Sequence, residues 1–474
     1  MKHFDFNDED FGFQHQDVIE YQNKFESMLK NNEFSFMDAN QIEDLYQFYW
    51  IHSKKDYCNE LLEFAIEIHP YHSNFYEYKF NLLYYDEQYL EALEWINYSL
   101  LIFPFHYELK LLKGNALRKL EKFDEAIEWY MNLLHENHEK SEIYFYIGIS
   151  YYAKDDWKSS ENCFLMAFQE KNDDIESMIF NLVITTFDFS FSENLVKKYI
   201  DLDPFHSESW YYLSQIYFLN RKYDEAIQAI EFAIVINPNQ IEYYKQKSEI
   251  FIHQELFGEA LQYLFEALQL QSENENILYN IGLCYQNLEL FDDARRYFKK
   301  CIDLDDTFFD AYEGLADCLY ELERYHEALH FYKTYLENTI NLEVSLKYID
   351  LEIELENFAH ALDYMKELEE LIYDEYLEIE FILRKTYIEY LKGSENITEI
   401  LKENFYMETH HLETSSKLMY QSAALSFAIG AKNTGYFYLE NALLKYPENY
   451  EYLFDYNPDL MNDTEIQLLI ESCK

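Results

Sequence analysis

Apolar residues recur along most of this chain at the three- and four-residue spacing of amphipathic helices, and prolines interrupt the pattern at intervals. Five of the six prolines follow such an apolar stretch: Pro70, Pro104, Pro204, Pro238 and Pro447. Because proline cannot continue a helix, each is predicted to mark a helix end. Pro70 and Pro104 are 34 residues apart, and so are Pro204 and Pro238. A fixed period of this length indicates one helical unit repeated many times.

The best-preserved unit places small and large side chains at fixed positions of two predicted helices. The first helix carries Trp210, Leu213, Ser214 and Tyr217, and the second carries Ala226, Ile230 and Ala233 before Pro238. Small residues at the eighth and twentieth positions would let two antiparallel helices approach closely. One such hairpin cannot bury its apolar face alone, so neighbouring hairpins must stack to complete the core.

This unit resembles the tetratricopeptide repeat, with Ser214 where that repeat usually has glycine. The resemblance covers roughly residues 39–449 and is weaker near 173–204 and 374–413. It implies an all-α fold: an α-solenoid, a right-handed superhelix of about twelve antiparallel helix-turn-helix repeats with capping helices at both ends. We predict four segments, which are an acidic N-terminal segment with a capping helix (1–38), a regular array (39–340), degenerate repeats (341–449) and a C-terminal capping tail (450–474).

Acidic residues outnumber basic ones by 90 to 37, which gives a formal net charge of −53. Such a field repels the phosphate backbone, so we predict no nucleic-acid partner. The sequence shows neither a signal peptide nor an apolar stretch of about 20 residues, which predicts a cytoplasmic protein without membrane attachment. The six cysteines have no Cys-x-x-Cys spacing and are interpreted as reduced thiols. We expect no cofactor, and the oligomeric state stays open.

One motif points to an enzyme. His326-Glu327-Ala328-Leu329-His330 matches HExxH, in which two histidines one helical turn apart bind zinc and the glutamate activates water. It lies where the second helix of a repeat is predicted to begin, and the resemblance supplies Glu-Ala-Leu as the repeat's own consensus. We therefore interpret both histidines as exposed helix residues that bind no metal, and keep a zinc hydrolase as an alternative.

The resemblance also indicates where a partner would bind. In tetratricopeptide repeat proteins a concave groove is lined by the first helix of each hairpin, chiefly at its second, fifth, ninth and twelfth positions. Here the charged residues at those positions are mostly acidic, and the twelfth position is often aromatic. The predicted groove residues are Trp50, Glu77, Tyr84, Glu108, Glu142, Tyr152, Glu208, Tyr211, Phe218, Glu249, Asp310, Asp317 and Tyr320. Carboxylates and aromatic rings together attract Lys and Arg side chains.

The leading hypothesis is a non-catalytic scaffold that binds a basic or amphipathic segment of a partner protein in this groove. A second hypothesis is an acidic decoy that mimics nucleic acid and occupies a DNA- or RNA-binding protein. A third interpretation is that the acidity only solvates the surface and that the aromatic residues reflect composition, since Tyr (47) and Phe (38) are frequent everywhere.

Overall fold

The computed structural model describes residues 15–31, 33–136, 139–185, 188–369, 375–407 and 412–473. Within these ranges the chain forms α-helices and a few short 3₁₀-helices, without a β-strand. The all-α prediction is confirmed. Most of the predicted acidic segment, residues 1–14, lies outside the described residues, and the amphipathic helix that follows it is α1 (His15–Asn31).

The chain divides into two compact units, and the first ends at Tyr243. After α1, most even-numbered helices pack on the odd-numbered helix that follows them, and we call the two the first and second helices of a hairpin, names that we use for every such pair along the array. The helices are α2 (Ala39–Ile51), α3 (Lys55–Ile68), α4 (Ser73–Tyr85), α5 (Tyr89–Ile102), α6 (Tyr107–Lys119), α7 (Phe123–Leu133), α8 (Lys140–Ala153), α9 (Trp157–Gln169), α10 (Asp173–Thr185), α11 (Phe189–Leu202), α12 (Ser207–Leu219) and α13 (Tyr223–Ile236).

The second unit begins at Tyr244, inside helix α14 (Ile241–His253). Its further helices are α15 (Phe257–Leu270), α16 (Glu275–Asn287), α17 (Phe291–Leu304), α18 (Phe309–Glu321), α19 (Tyr325–Asn338), α20 (Leu342–Glu354), α21 (Phe358–Glu369), α22 (Glu375–Leu391), α23 (Ile397–Tyr406), α24 (Leu412–Ala428), α25 (Lys432–Lys445), α26 (Tyr452–Tyr456) and α27 (Thr464–Cys473). Helices α26 and α27 pack on the last hairpin, α24 and α25. The number of repeats and the four predicted segments stay predictions.

The turn inside the hairpins repeats one backbone feature at the predicted period. Residues with φ between 56 and 60° occur at Ser53, Glu87, Glu121 and Asp155, and again at Arg221, Glu255, Glu289 and Glu323. Within each group of four the spacing is 34 residues. This left-handed conformation strains every residue except glycine, so the turn geometry is imposed by the packing of the two helices.

The small residues do mark close helix contacts, as predicted. A β-carbon at Gly148 on α8 would lie 2.6 Å from the ring of Phe164 on α9. Where Ser214 replaces the glycine, its hydroxyl donates to the carbonyl of Ala226 at 2.8 Å. The serine is tolerated because its hydroxyl is satisfied by the partner helix.

The cysteines are all unpaired, and all but Cys473 are buried. Burial raises the pKa of Cys58, Cys284, Cys301 and Cys318 to about 12. These thiols stay protonated at neutral pH and act as small apolar side chains in the core.

Candidate functional site

The predicted groove residues all lie on first helices. In the first unit they are on α2, α4, α6, α8 and α12, and in the second unit on α14 and α18. Glu108, Glu208, Glu249 and Asp310 are exposed, whereas Glu77, Glu142 and Asp317 are half-buried. The acidic positions therefore differ in how strongly protein surrounds them.

Three of these carboxylates lie on neighbouring first helices of the first unit, and we call Glu77, Glu108 and Glu142 the acidic cluster. Helix α6 packs on both α4 and α8, so the three side chains belong to adjacent elements. His106 places its Nδ1 3.5 Å from Oε1 of Glu77 and 4.0 Å from Oε2 of Glu108. The hydroxyl of Tyr107 donates to Oε2 of Glu142 at 3.2 Å.

Burial and mutual repulsion make negative charge costly in this cluster. Burial, with a smaller contribution from the Glu108 carboxylate, raises the pKa of Glu77 to about 7. Burial also raises the pKa of Glu142, although the hydrogen bond from Tyr107 partly opposes the shift. A cation placed beside these groups would favour their ionised forms and reduce that cost.

In the second unit, Asp317 is already neutralised within the chain. Lys347 on α20 lies 3.1 Å from both carboxylate oxygens of Asp317 and 3.2 Å from Glu313, and the hydroxyl of Tyr332 also donates to Asp317. The sequence analysis did not consider Lys347, because it lies in the segment interpreted as degenerate repeats. Asp317 is therefore a poorer site for a partner's cation than the prediction implied.

The aromatic residues at the twelfth repeat position pack inside their own hairpins. Four of the five contact the aromatic residue five positions later, which begins the second helix; the fifth, Trp50, is followed there by Lys55. The ring centroids are 5.3 Å apart for Tyr84 and Tyr89, 4.8 Å for Tyr152 and Trp157, 6.0 Å for Phe218 and Tyr223, and 5.4 Å for Tyr320 and Tyr325. Tyr84 is buried, so its ring offers almost no groove surface, contrary to the prediction.

The other two predicted aromatic residues also have intramolecular neighbours. Trp50 contacts Tyr85 with ring centroids 5.0 Å apart, and Tyr211 contacts Tyr243 at 5.3 Å. Both remain half-buried, as do Tyr152, Phe218 and Tyr320. Packing accounts for part of the aromatic content that the sequence analysis assigned to the groove.

An open pocket of about 730 Å³ lies beside the irregular fifth hairpin, α10 and α11. Tyr152 and Trp157 line it together with Glu193 and Lys222. Lys222 lies 3.1 Å from Glu193, so the two charges of this wall are paired with each other. The sequence analysis showed only that the resemblance to the repeat is weaker here, near 173–204.

The HExxH residues lie on an exposed face of α19. His326, Glu327 and His330 are all exposed. Arg324 donates to both carboxylate oxygens of Glu327 at 2.6 to 2.8 Å. Across the described ranges, no group of three or more His, Cys, Asp or Glu side chains is arranged to hold a metal ion. The zinc-hydrolase alternative thus gains no third ligand from these residues.

The sequence analysis missed a recurring histidine that precedes three first helices of the first unit. His72, His106 and His206 each follow a Pro-aromatic pair, at 70–72, 104–106 and 204–206. His72 lies 3.7 Å from Glu43, and His206 lies 3.5 Å from Glu176. The signal was present in the sequence, since His72 and His106 are one 34-residue period apart.

Comparison with known proteins finds the same repeat in this chain. Three models described as tetratricopeptide repeat match residues 107–134, 195–228 and 276–308. Among curated proteins, none matches the chain significantly. In the described part of the chain, the helices are all too short or too polar to cross a membrane.

Several solved structures are similar to part of this chain. MamA is 22% identical and covers 34% of this chain and 94% of its own, with a TM-score of 0.32. Pseudomonas aeruginosa PilF is 19% identical over 51% and 96%, with a TM-score of 0.36. YrrB, described as a tetratricopeptide repeat protein with an unusual peptide-binding site, is 17% identical over 38% and 94%, with a TM-score of 0.34.

The fold, the hairpin period and the repeat matches agree with one another. Tetratricopeptide repeats support a role as a protein-interaction scaffold, and such proteins are generally not enzymes. The chain contains tetratricopeptide repeats, at residues 107–134, 195–228 and 276–308.

Proposed function

We propose that this protein is a non-catalytic scaffold that binds a Lys- or Arg-containing segment of another protein along the first helices of its first unit. The acidic cluster is the observation that carries the proposal. Glu77 is half-buried, its pKa is raised, and its described neighbours are His106 and Glu108 rather than a Lys or Arg. A basic side chain from a partner would supply the missing counter-charge.

The spacing of the cluster suggests the form of the bound segment. Helices that pack side by side are about 8 to 10 Å apart, so a peptide that crosses successive first helices meets a new helix at about that interval. An extended peptide advances about 3.3 Å per residue. Basic residues three positions apart, as in Lys-x-x-Lys, would therefore meet successive carboxylates of the cluster.

Half-buried aromatic rings on first helices of the same unit would add apolar contact. Trp50, Tyr152 and Phe218 each leave part of the ring accessible. Because these rings are already held by neighbours, a partner would meet them without a large loss of side-chain entropy. They suit the aliphatic stem of a Lys or Arg, or a flanking apolar residue.

A labelled Lys-x-x-Lys-x-x-Lys peptide with alanine at the intervening positions tests this proposal by fluorescence anisotropy. The triple variant E77Q/E108Q/E142Q should bind it at least about tenfold more weakly than the unmodified protein. The matched control E94Q/E128Q/E225Q removes three exposed charges from second helices of the same unit, and it should change the affinity less than about twofold.

Equal losses in the two triple variants would show that the peptide responds only to overall charge, and would refute the site. If instead the site is supported, capture of cellular partners by the unmodified protein, but not by E77Q/E108Q/E142Q, would identify the natural ligand. Release of a captured partner by duplex DNA would favour the acidic decoy instead, because DNA would be competing for the same surface of that partner.

A further inference from the structure

The most exposed large apolar side chains of the first unit all lie at one edge. Each is in the last turn of a second helix or in the turn that leads to the next first helix, and we call this region the inter-repeat edge. The residues and their exposed fractions are Tyr71 (84%), Leu101 (82%), Phe105 (85%), Phe205 (82%) and Val235 (79%). The next most exposed described apolar residue of this unit is Phe36 at 63%.

Tyr71, Leu101 and Phe105, together with Tyr98, form what we call the edge patch. Tyr76, which is buried, contacts both of the turns that carry the patch, the one with Tyr71 and the one with Phe105. The Tyr76 hydroxyl donates to the carbonyl of Pro70 at 3.0 Å, next to Tyr71. The Tyr76 ring also packs edge-on against Phe103, two residues before Phe105, with centroids 5.1 Å apart.

The side of the patch near Tyr98 is connected to the same base. Trp95 stacks on Tyr76 with centroids 5.5 Å apart and contacts Tyr98 at 5.7 Å. Burial is the main cause that raises the pKa of Tyr76, and the nearby hydroxyls of Tyr98 and Tyr71 add smaller contributions. Tyr76, Trp95 and Phe103 therefore form one aromatic base that connects the turns bearing Tyr71 and Phe105, and Tyr98 contacts this base directly.

A second, similar arrangement lies further along the unit. Phe205 follows Pro204, whose carbonyl accepts a hydrogen bond from the Trp210 indole at 3.0 Å. Trp210 stacks on Phe232 at 4.5 Å, and Phe232 lies one turn before Val235 on α13. At Pro70 and at Pro204 alike, an aromatic side chain of the next first helix donates to the proline carbonyl and an exposed ring follows the proline, so the arrangement recurs.

The charges around the edge patch select the kind of partner. Glu67 and Glu94 are exposed on the second helices that carry the patch. Lys110 has its Nζ 5.9 Å from the Phe105 ring but is ion-paired with Glu136. A second copy of this chain would bring its own net charge of −53 to the contact, and an anionic lipid surface would also be repelled.

We infer that the inter-repeat edge of the first unit is a second protein-docking surface, in which the edge patch receives the apolar face of an amphipathic segment flanked by Lys or Arg. Exposed apolar area of this kind is usually covered by a partner. The edge patch shares no residue with the acidic cluster, since the patch lies at the ends of second helices and in the turns after them, whereas the cluster lies on first helices.

The probe for this surface is a labelled 18-residue helical peptide with leucine on one face and lysine on the other, measured by anisotropy in 300 mM NaCl. At this salt the Debye length is about 6 Å, so purely electrostatic binding is weakened and apolar contact remains. The variant Y71S/F105S should bind at least about tenfold more weakly. Both positions are exposed, so the variant should fold normally.

The matched control is Y85S/L90S, which removes two exposed apolar residues (53% and 57%) from the opposite end of the same hairpin, α4 and α5. It should change the affinity less than about twofold. Hydrogen exchange with the bound peptide should show protection at 69–76 and 101–106. Equal weakening by Y85S/L90S, or protection only in the first helices, would overturn the proposal.

Two further measurements separate the alternatives. If sedimentation shows a self-associated protein that Y71S/F105S converts to monomer, the occupant is a second copy and the proposed partner is wrong. Y71S/F105S should leave binding of the Lys-x-x-Lys-x-x-Lys peptide within about twofold, so the edge surface and the acidic cluster can fail independently.

Discussion

Glu77 links the stability of the first unit to pH. Its pKa is about 7 in the folded protein, whereas an unperturbed glutamate has a pKa of about 4.3. Folding therefore takes up a proton between these values, and local stability falls as the pH rises from about 4.5 to 7. E77Q should flatten this dependence and raise the local free energy of unfolding at pH 8 by about 1 to 2 kcal/mol, after allowance for partial solvent screening.

Hydrogen exchange of the α4 amides measures this local free energy without assuming that the whole array unfolds in one step. The comparison is between pH 5 and pH 8 for both proteins. E108Q serves as the control that removes a neighbouring charge but leaves Glu77 titrating. An E77Q protein that is less stable than the unmodified one at pH 8 would contradict the assigned cost of this carboxylate.

The same residue predicts a pH dependence of binding with the opposite sign. A peptide lysine is attracted by ionised Glu77, so affinity for the Lys-x-x-Lys-x-x-Lys peptide should increase about two- to fivefold between pH 6 and pH 8. In E77Q the affinity should be lower and nearly constant over this range. An equally steep increase in E77Q would assign the pH dependence to another group.

For single residues, the sequence predicted which helix carries each groove carboxylate, but not which side chains of the protein surround it. The repeat positions placed Glu77, Glu108 and Glu142 on successive first helices, and the structure brings them together. His106 and Tyr107 were not predicted, because residues at the start of a helix lie outside the groove positions considered. Lys347 was not predicted to neutralise Asp317, because this ion pair joins residues 30 positions apart in different repeats.

At the scale of a helix hairpin, the strained turn provides a test of the fold. Glu289 has φ of 58°, in the left-handed region that glycine adopts without penalty. E289G should stabilise the α16–α17 hairpin by about 0.5 to 1 kcal/mol, since relief of strain exceeds the added flexibility of the unfolded chain. E289A keeps the β-carbon and should therefore not stabilise the hairpin. Thermal unfolding followed by circular dichroism would show the difference, and equal midpoints would argue against strain at this turn.

The close contact between two helices of a hairpin predicts a destabilising substitution. G148A would place a methyl group 2.6 Å from the Phe164 ring, so we expect the α8–α9 hairpin to lose about 1 to 3 kcal/mol. Gly258 is also helical, but a β-carbon there would meet nothing within 4 Å, so G258A should be neutral or slightly stabilising. Denaturation of both variants checks this contrast, and equal effects would mean that glycine serves only backbone flexibility at residue 148.

The hairpins themselves were predictable because proline spacing and small-residue positions repeat in the sequence. Their turns were not, because Glu87, Glu121 and Glu289 carry no compositional sign of a positive φ. Packing also redirected the aromatic residues at the twelfth position. Tyr152, for example, contacts Trp157 at the start of the next helix, across the turn. The sequence alone is equally consistent with a Tyr152 ring that faces solvent.

For the molecule as a whole, net charge attracts a cationic peptide over a long distance, whereas apolar surface acts only on contact. The salt dependence of binding therefore distinguishes the two contributions. Between 50 and 500 mM NaCl the Debye length falls from about 14 to about 4 Å. The Lys-x-x-Lys-x-x-Lys peptide should lose at least about tenfold in affinity over this range, since its binding depends on the acidic cluster and on the net charge of −53.

The leucine-lysine helical peptide should lose much less over the same range, about threefold or less, because burial of Tyr71, Leu101 and Phe105 depends little on ionic strength. Y71S/F105S should remove this salt-resistant part, and E77Q/E108Q/E142Q should reduce the salt slope of the lysine peptide. Anisotropy titrations at four salt concentrations measure all of these slopes. If the two peptides showed parallel slopes in every variant, a single electrostatic surface would account for both, and two separate sites on the first unit would be ruled out.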